Sequence, residues 1–290
     1  MTQLPAPPLP RAALAACWAL AAFPAAAAPV NLTVLDFDSA GAGADIVGEV
    51  VALTGREFER YGVRLTASPN GDGTTLGLFN TDCDGPGQPA CSGNDDDLAT
   101  GPRYGTAPQG LALILNGAAP DGLNDDPDGG SITFHFTDPG GVNFGSFELL
   151  DIDEEDPLTA PDILFSFVIE DGTEAGLQLA EASVSTLAAA QALALTVENL
   201  SVKTDDEGAP APQTGDNSHW RYRFVNNPQF FPVNADGYIE NVRSATIRYD
   251  SISGAVGSIT FDRPHEVPLP AAAWLLAAGL GALWGARRAG

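Results

Sequence analysis

Ser131-Ile132-Thr133-Phe134-His135-Phe136-Thr137 alternates apolar and polar residues without a break. Ile132, Phe134 and Phe136 therefore share one face, and Thr133, His135 and Thr137 the other, which is the period of a half-buried strand. Related strand-like runs occupy 30–37, 62–67, 75–79, 111–115, 146–152, 163–169, 220–225, 245–249 and 258–261, with Gly, Asp and Pro clusters between them. Many short strands separated by turn signals predict a mainly β fold, a β-sandwich or jelly-roll-like single domain, rather than a βαβ arrangement. Residues 181–195 are rich in Ala and Leu and fit a surface helix, or else a strand. Residues 203–218 (KTDDEGAPAPQTGDNS) are polar and Pro-rich and read as an exposed loop. No repeat of fixed period is visible.

The charge is lopsided. The chain of 290 residues carries 38 Asp and Glu against 13 Lys and Arg, a formal net charge of −25. A surface of that sign cannot release counterions from a nucleic-acid backbone, so nucleic acid is excluded as a partner. Only Lys203 is available for Schiff-base chemistry, and three scattered His (His135, His219, His265) cannot supply a dense imidazole metal site.

Both ends depart from this pattern. Residues 1–28 contain one basic residue, Arg11, an apolar run over 12–23 and then Pro24-Ala25-Ala26-Ala27-Ala28, the order of a secretory signal peptide. The run is too short to span a bilayer, which takes about 20 residues. At the other end Val267-Pro268-Leu269-Pro270-Ala271 leads into an Ala/Leu/Gly/Trp stretch and closes on Arg287-Arg288. Residues 269–286 as helix would extend about 27 Å, barely a bilayer core, with the Arg pair on the cytoplasmic side. The organisation read from sequence is thus a signal peptide (1–28), an acidic β-sandwich domain (29–266), and a hydrophobic C-terminal helix (267–290).

The Val267–Ala271 pentapeptide, the span and the terminal arginines together resemble the VPLPA variant of the PEP-CTERM sorting signal of Gram-negative bacteria. That resemblance implies an exosortase as processing partner, transient membrane insertion, and delivery to the cell envelope or an extracellular polysaccharide matrix. It covers the last 24 residues and is silent on the body's activity. Within the body, Asn94-Asp95-Asp96-Asp97-Leu98, Gly110-Leu111-Ala112-Leu113-Ile114-Leu115, Asp125-Asp126-Pro127-Asp128-Gly129-Gly130, Leu149-Leu150-Asp151-Ile152-Asp153-Glu154 and Ser253-Gly254-Ala255-Val256 resemble a module found on PEP-CTERM proteins. Its GGDxDL block is imperfect here, since Ser92-Gly93-Asn94 precedes Asp95. The module implies a secreted β-sandwich.

Candidate chemistry is sparse. Cys83 and Cys91 lie eight apart in a Gly/Pro loop, and in an oxidising compartment they predict a structural disulfide contributing about 2–3 kcal/mol by loop closure. Acidic residues bunch in loops. One relief for their repulsion is Ca²⁺, with Asp126 and Asp128 joined by Asp151 and Asp153 as the ligand set; the other reading is a solvated acidic surface. Asp126-Pro127-Asp128-Gly129 begins like an EF-hand loop but lacks its later ligands. Trp220, Tyr222 and Phe224 alternate with Arg221 and Arg223, so they form either a glycan-facing aromatic row or one side of the core. His135 reads as a surface strand residue and His219 as a loop residue. No G-x-S-x-G elbow is present. The expectation is a non-enzymatic, structural or polysaccharide-associated exported protein, the alternative a secreted carbohydrate-active hydrolase using a carboxylate pair.

Overall fold

The structure is a computed structural model, described for residues 32–37, 49–70, 75–117, 122–152, 163–172, 174–179, 195–204, 210–212, 215–224, 237–250 and 253–263. These all fall within one compact unit, Asn31–Pro264. Residues 1–28 and 267–290, Asp153 and all of 181–195 except Leu195 lie outside the described residues. Among the described residues no helix is long and apolar enough to cross a membrane.

The described strands in chain order are β1 (Leu32–Asp36), β2 (Val63–Pro69), β3 (Thr75–Asn80), β4 (Leu111–Asn116), β5 (Gly129–Phe136), β6 (Val142–Ile152) and β7 (Ile163–Ile169). They continue with β8 (Glu174–Leu179), β9 (Leu195–Asn199), β10 (Val202–Thr204), β11 (Pro210–Pro212), β12 (Gly215–Phe224), β13 (Ile239–Asp250) and β14 (Ala255–Asp262). Short 3-10 turns stand at Glu59–Tyr61, Ser92–Asn94 and Pro102–Tyr104.

Twelve strands form one hydrogen-bonded antiparallel sheet with the path β2-β5-β13-β6-β14-β4-β3. Branches leave it: β1 on β14, β12 then β9 on β6, and β7 then β8 on β13. Branching follows from strand length. β6 has 11 residues and β13 has 12, enough for each to hold different neighbours along its length. β13 touches β6 only near Ile239 and Val242, then diverges to run between β5 and β7. Beyond that junction β6 is flanked by β12 and β14. The expectation is therefore met at the level of a mainly β architecture, while the hydrogen bonding joins one continuous sheet rather than two separate ones.

That continuous sheet doubles back, and its inward rings fill the space between. Phe134 of β5 meets Phe147 of β6 at 5.9 Å, and Phe165 and Phe167 of β7 meet Phe147, Tyr222 and Phe224 at 4.9–6.5 Å. Ile132, Phe134 and Phe136 are buried as their alternation demands, while His135 is exposed and its ring lies 2.8 Å from the Thr66 hydroxyl.

A second apolar cluster lies outside the sheet. β4 is buried along its whole length, which explains its unbroken apolar run Leu111-Ala112-Leu113-Ile114-Leu115. Leu111, Leu113 and Leu115 join the main core, whereas Ala112 and Ile114 pack with Phe79, Leu98, Leu123, Leu150 and Ala255 in the second cluster. The loops between β3 and β5 thus cover the outer face at that end.

Residues 203–218 differ from the expected exposed loop. β10 and β11 pair there, and β12 begins at Gly215, with Asn217 and Ser218 buried. Polar composition misled at Asn217, whose side chain bonds backbone. The Asn217 amide donates to the carbonyls of Asp96, Asp97 and Ala99 at 2.7–3.0 Å.

Candidate functional site

β6 shows where the outer face changes character. Phe147 and Leu149 point into the main core, so Ser146, Glu148 and Leu150 point outward. Leu150 lies under the covering loops, in the second apolar cluster. Ser146 lines an open groove of about 480 Å³, and so does Glu148.

The register arranges this groove as cross-strand rows. Thr196 of β9 lies opposite Arg223 of β12, which lies opposite Ser146 of β6, then Thr260 of β14, then Val34 of β1. All five line the groove. The neighbouring row runs Glu198, Arg221, Glu148, Ser258, Asp36 across the same five strands. The first row is three hydroxyls, one guanidinium and the apolar Val34, the second mostly charges.

The groove also has an aromatic wall. β6 shifts register against β14 between its pairings with Thr260 and Phe261, and Gly145 sits in that irregularity. A Cβ on Gly145 would come within 2.6 Å of the Tyr238 ring, so the bare glycine is what lets the ring lie against the strand. Val34 on the rim is 51% exposed, an unusual position for a large apolar residue here.

The charged row is cross-linked. Arg221 donates from Nε to Glu148 Oε1 at 2.7 Å and from Nη1 to Glu198 Oε2 at 3.0 Å, and His219 Nε2 lies 3.2 Å from Glu148 Oε2. Burial alone would raise the Glu148 carboxyl. Hydrogen bonds with His219 and Arg221, and the Arg221 charge, outweigh it and hold the group down at about 2. His219 is buried on β12 rather than in a loop, because β12 begins five residues earlier than its apolar pattern. Arg223 is different. Exposed beside this network, it pairs with no carboxylate among the described residues.

Of the two readings of Trp220, Tyr222 and Phe224, burial favours the core. Trp220, Tyr222 and Phe224 are 6%, 0% and 1% exposed and belong to the main core, so they offer no flat face to a sugar. Their outward neighbours Arg221 and Arg223 line the groove, together with Phe224.

Of the expected calcium set, Asp126, Asp128 and Asp151 are described. Among the described residues no three His, Cys, Asp or Glu are placed to hold a metal ion. Asp126 is buried and spends a carboxylate oxygen on the Asp128 amide at 3.0 Å, forming an Asx turn into β5 with Asp128 exposed. Asp151 is buried at the end of β6 with φ +47°, and Asp153 lies outside the described residues.

Other carboxylates do meet, which sequence spacing could not show. Asp95 accepts the Asp125 amide at 3.2 Å and shares a hydrogen bond with Asp97. Burial first, then that bond and the charges of Asp125 and Asp97, push Asp95 up to about 10. Asp95 is therefore an acid at neutral pH. Tyr249 is raised too, chiefly by burial and then by the charges of Asp125, Tyr222 and Asp151.

Cys83 and Cys91 are bonded, with Cα atoms 5.0 Å apart. The loop they close is pinned at Asp84, whose carboxylate pairs with Arg103 and accepts the Tyr104 hydroxyl at 3.0 Å. No protein-family model matches the chain, and neither does any curated protein or solved structure.

Proposed function

We propose that the protein is exported and sorted by an exosortase to the cell envelope or extracellular matrix, where it has a structural or polysaccharide-associated role. The observation that carries the polysaccharide part is the groove across β9, β12, β6, β14 and β1, where a row of hydroxyls and a guanidinium lies beside an aromatic ring. Sugar recognition calls for that mixture of convergent polar groups and flat apolar surface. The leader-like start and the Val267–Ala271 tail support the route, and the Cys83–Cys91 bond is in keeping with an oxidising compartment. We read the doubled sheet as a sandwich joined along one corner, within the jelly-roll-like range. Calcium enters as an ion bridging exposed carboxylates to an anionic glycan.

The test is retention of the full chain, in mild detergent, on exopolysaccharide from its own cells, with Ca²⁺ and with chelator. Retention in both arms is expected if the groove binds directly. Loss on chelation moves the role to bridging by calcium, and no retention in either arm ends the polysaccharide reading. Release of reducing ends during the same incubation would move the reading to a hydrolase. Mass spectrometry of protein recovered from cells tests the route, with a chain shortened near Val267–Ala271 expected.

A further inference from the structure

The groove's lining is not acidic as the molecule as a whole is. Its charged lining is Glu148, Arg221 and Arg223, one positive charge in excess within a chain of net charge −25. Arg221 is committed on both sides, to Glu148 and Glu198, and Arg223 is left as a guanidinium whose five donors have no carboxylate to meet among the described residues. A planar fork of this kind matches a carboxylate with two parallel hydrogen bonds. Thr196 and Ser146 flank it one cross-strand step to either side, Thr260 lies one step beyond Ser146, and the Tyr238 ring lines the same groove.

We infer that the groove binds an acidic saccharide, with Arg223 holding a sugar carboxylate, the three hydroxyls meeting ring hydroxyls, and Tyr238 packing on a pyranose face. This rests on the polysaccharide reading above and narrows it to uronic-acid chemistry. A neutral glycan would leave Arg223 desolvated without a partner, which costs binding. An acidic peptide would supply a carboxylate, but would leave the row of hydroxyls facing few matching groups. The chain's overall negative charge does not steer an anionic glycan toward it, so recognition depends on contacts inside the groove.

The experiment is calorimetric titration of the full chain, in mild detergent, with a tetramer of a uronic acid, the neutral hexose tetramer of the same linkage, and an acidic tetrapeptide. The uronate tetramer is expected to bind best. Arg223→Ala should weaken it by about 10- to 100-fold, the worth of a charge-assisted pair. Arg223→Lys should fall between, since it keeps the charge and loses the fork. Tyr238→Ala should weaken every sugar, while Arg64→Ala on β2, paired with Glu59 outside the groove, should change nothing. Unchanged circular dichroism checks that the exposed Arg223 position tolerates the changes. Equal binding of the uronate and neutral tetramers overturns the inference, as does uronate binding that survives Arg223→Ala. In either case retention on exopolysaccharide would still stand. Preferred binding of the peptide overturns it in favour of a protein partner. Failure of every sugar together with loss of retention would sink both readings.

Discussion

Asp95 and Glu148 are both buried carboxyls, and their surroundings send them in opposite directions. Glu148 has an arginine and a histidine against it, whereas Asp95 has two other aspartates. For Asp95 the proton stays bound in the folded chain up to about pH 10, whereas an unfolded chain sheds it near 3.8. Its contribution is complete below that lower value and drains away as pH rises toward 10. Glu148 works the other way: its contribution is present above 4.5 and is lost as pH falls toward 2. Asp95→Asn keeps a neutral hydrogen-bond donor and abolishes the alkaline loss. The urea midpoint of this variant should match or trail the native protein at pH 4.5 and exceed it at pH 8.5. If the two midpoints keep the same gap at both pH values, Asp95 is not the protonated partner of Asp97.

Asn217 decides how an element is attached. It holds φ +57° at the start of β12 and bonds the carbonyls of Asp96, Asp97 and Ala99, tying the covering loop to the sheet. Asn217→Ala removes those donors and puts at φ +57° a residue that tolerates the left-handed region less well than Asn, so a loss of about 2 kcal/mol or more is expected in chemical denaturation. Asn217→Gly keeps the backbone freedom and should lose less; equal losses would show that φ plays no part. Elements were legible in sequence to the degree that their alternation was strong. Ile132/Phe134/Phe136 and Ile163-Leu164-Phe165-Ser166-Phe167 marked β5 and β7. β8 and β9 escaped notice, since Glu174-Ala175-Gly176 and Thr196-Val197-Glu198 carry few large apolar groups. Alternation also separates two faces without saying which is inner, which is why Trp220, Tyr222 and Phe224 stayed ambiguous against Arg221 and Arg223. The groove row was beyond reach altogether, because Thr196, Arg223, Ser146, Thr260 and Val34 come from five separate strands and meet only through register. The same holds for Asp95 and Asp125, 30 residues apart.

At the scale of the whole molecule, the strands of the sheet are held together by rings that meet in the core. Phe147 lies within 6.5 Å of Phe134, Phe144, Phe165, Phe167 and Phe224, which come from β5, β6, β7 and β12. Phe147→Ala should cost about 3–5 kcal/mol, seen as a lower urea midpoint, whereas the same change at a half-buried ring would cost far less. A loss under about 1 kcal/mol would mean that the core is held elsewhere. The pairing of β1 with β14 has a consequence in time. Leu32 lies opposite Asp262, so the first described strand waits for the last before it gains its neighbour. β14 also occupies one flank of β6 and reaches β4, which leaves the middle of the sheet incomplete until residues 255–262 have emerged. A chain delivered N-terminus first therefore cannot close its sheet early. Such closure by distant contacts is slow, and it leaves the chain loose enough to thread through a narrow passage until almost its whole length has passed.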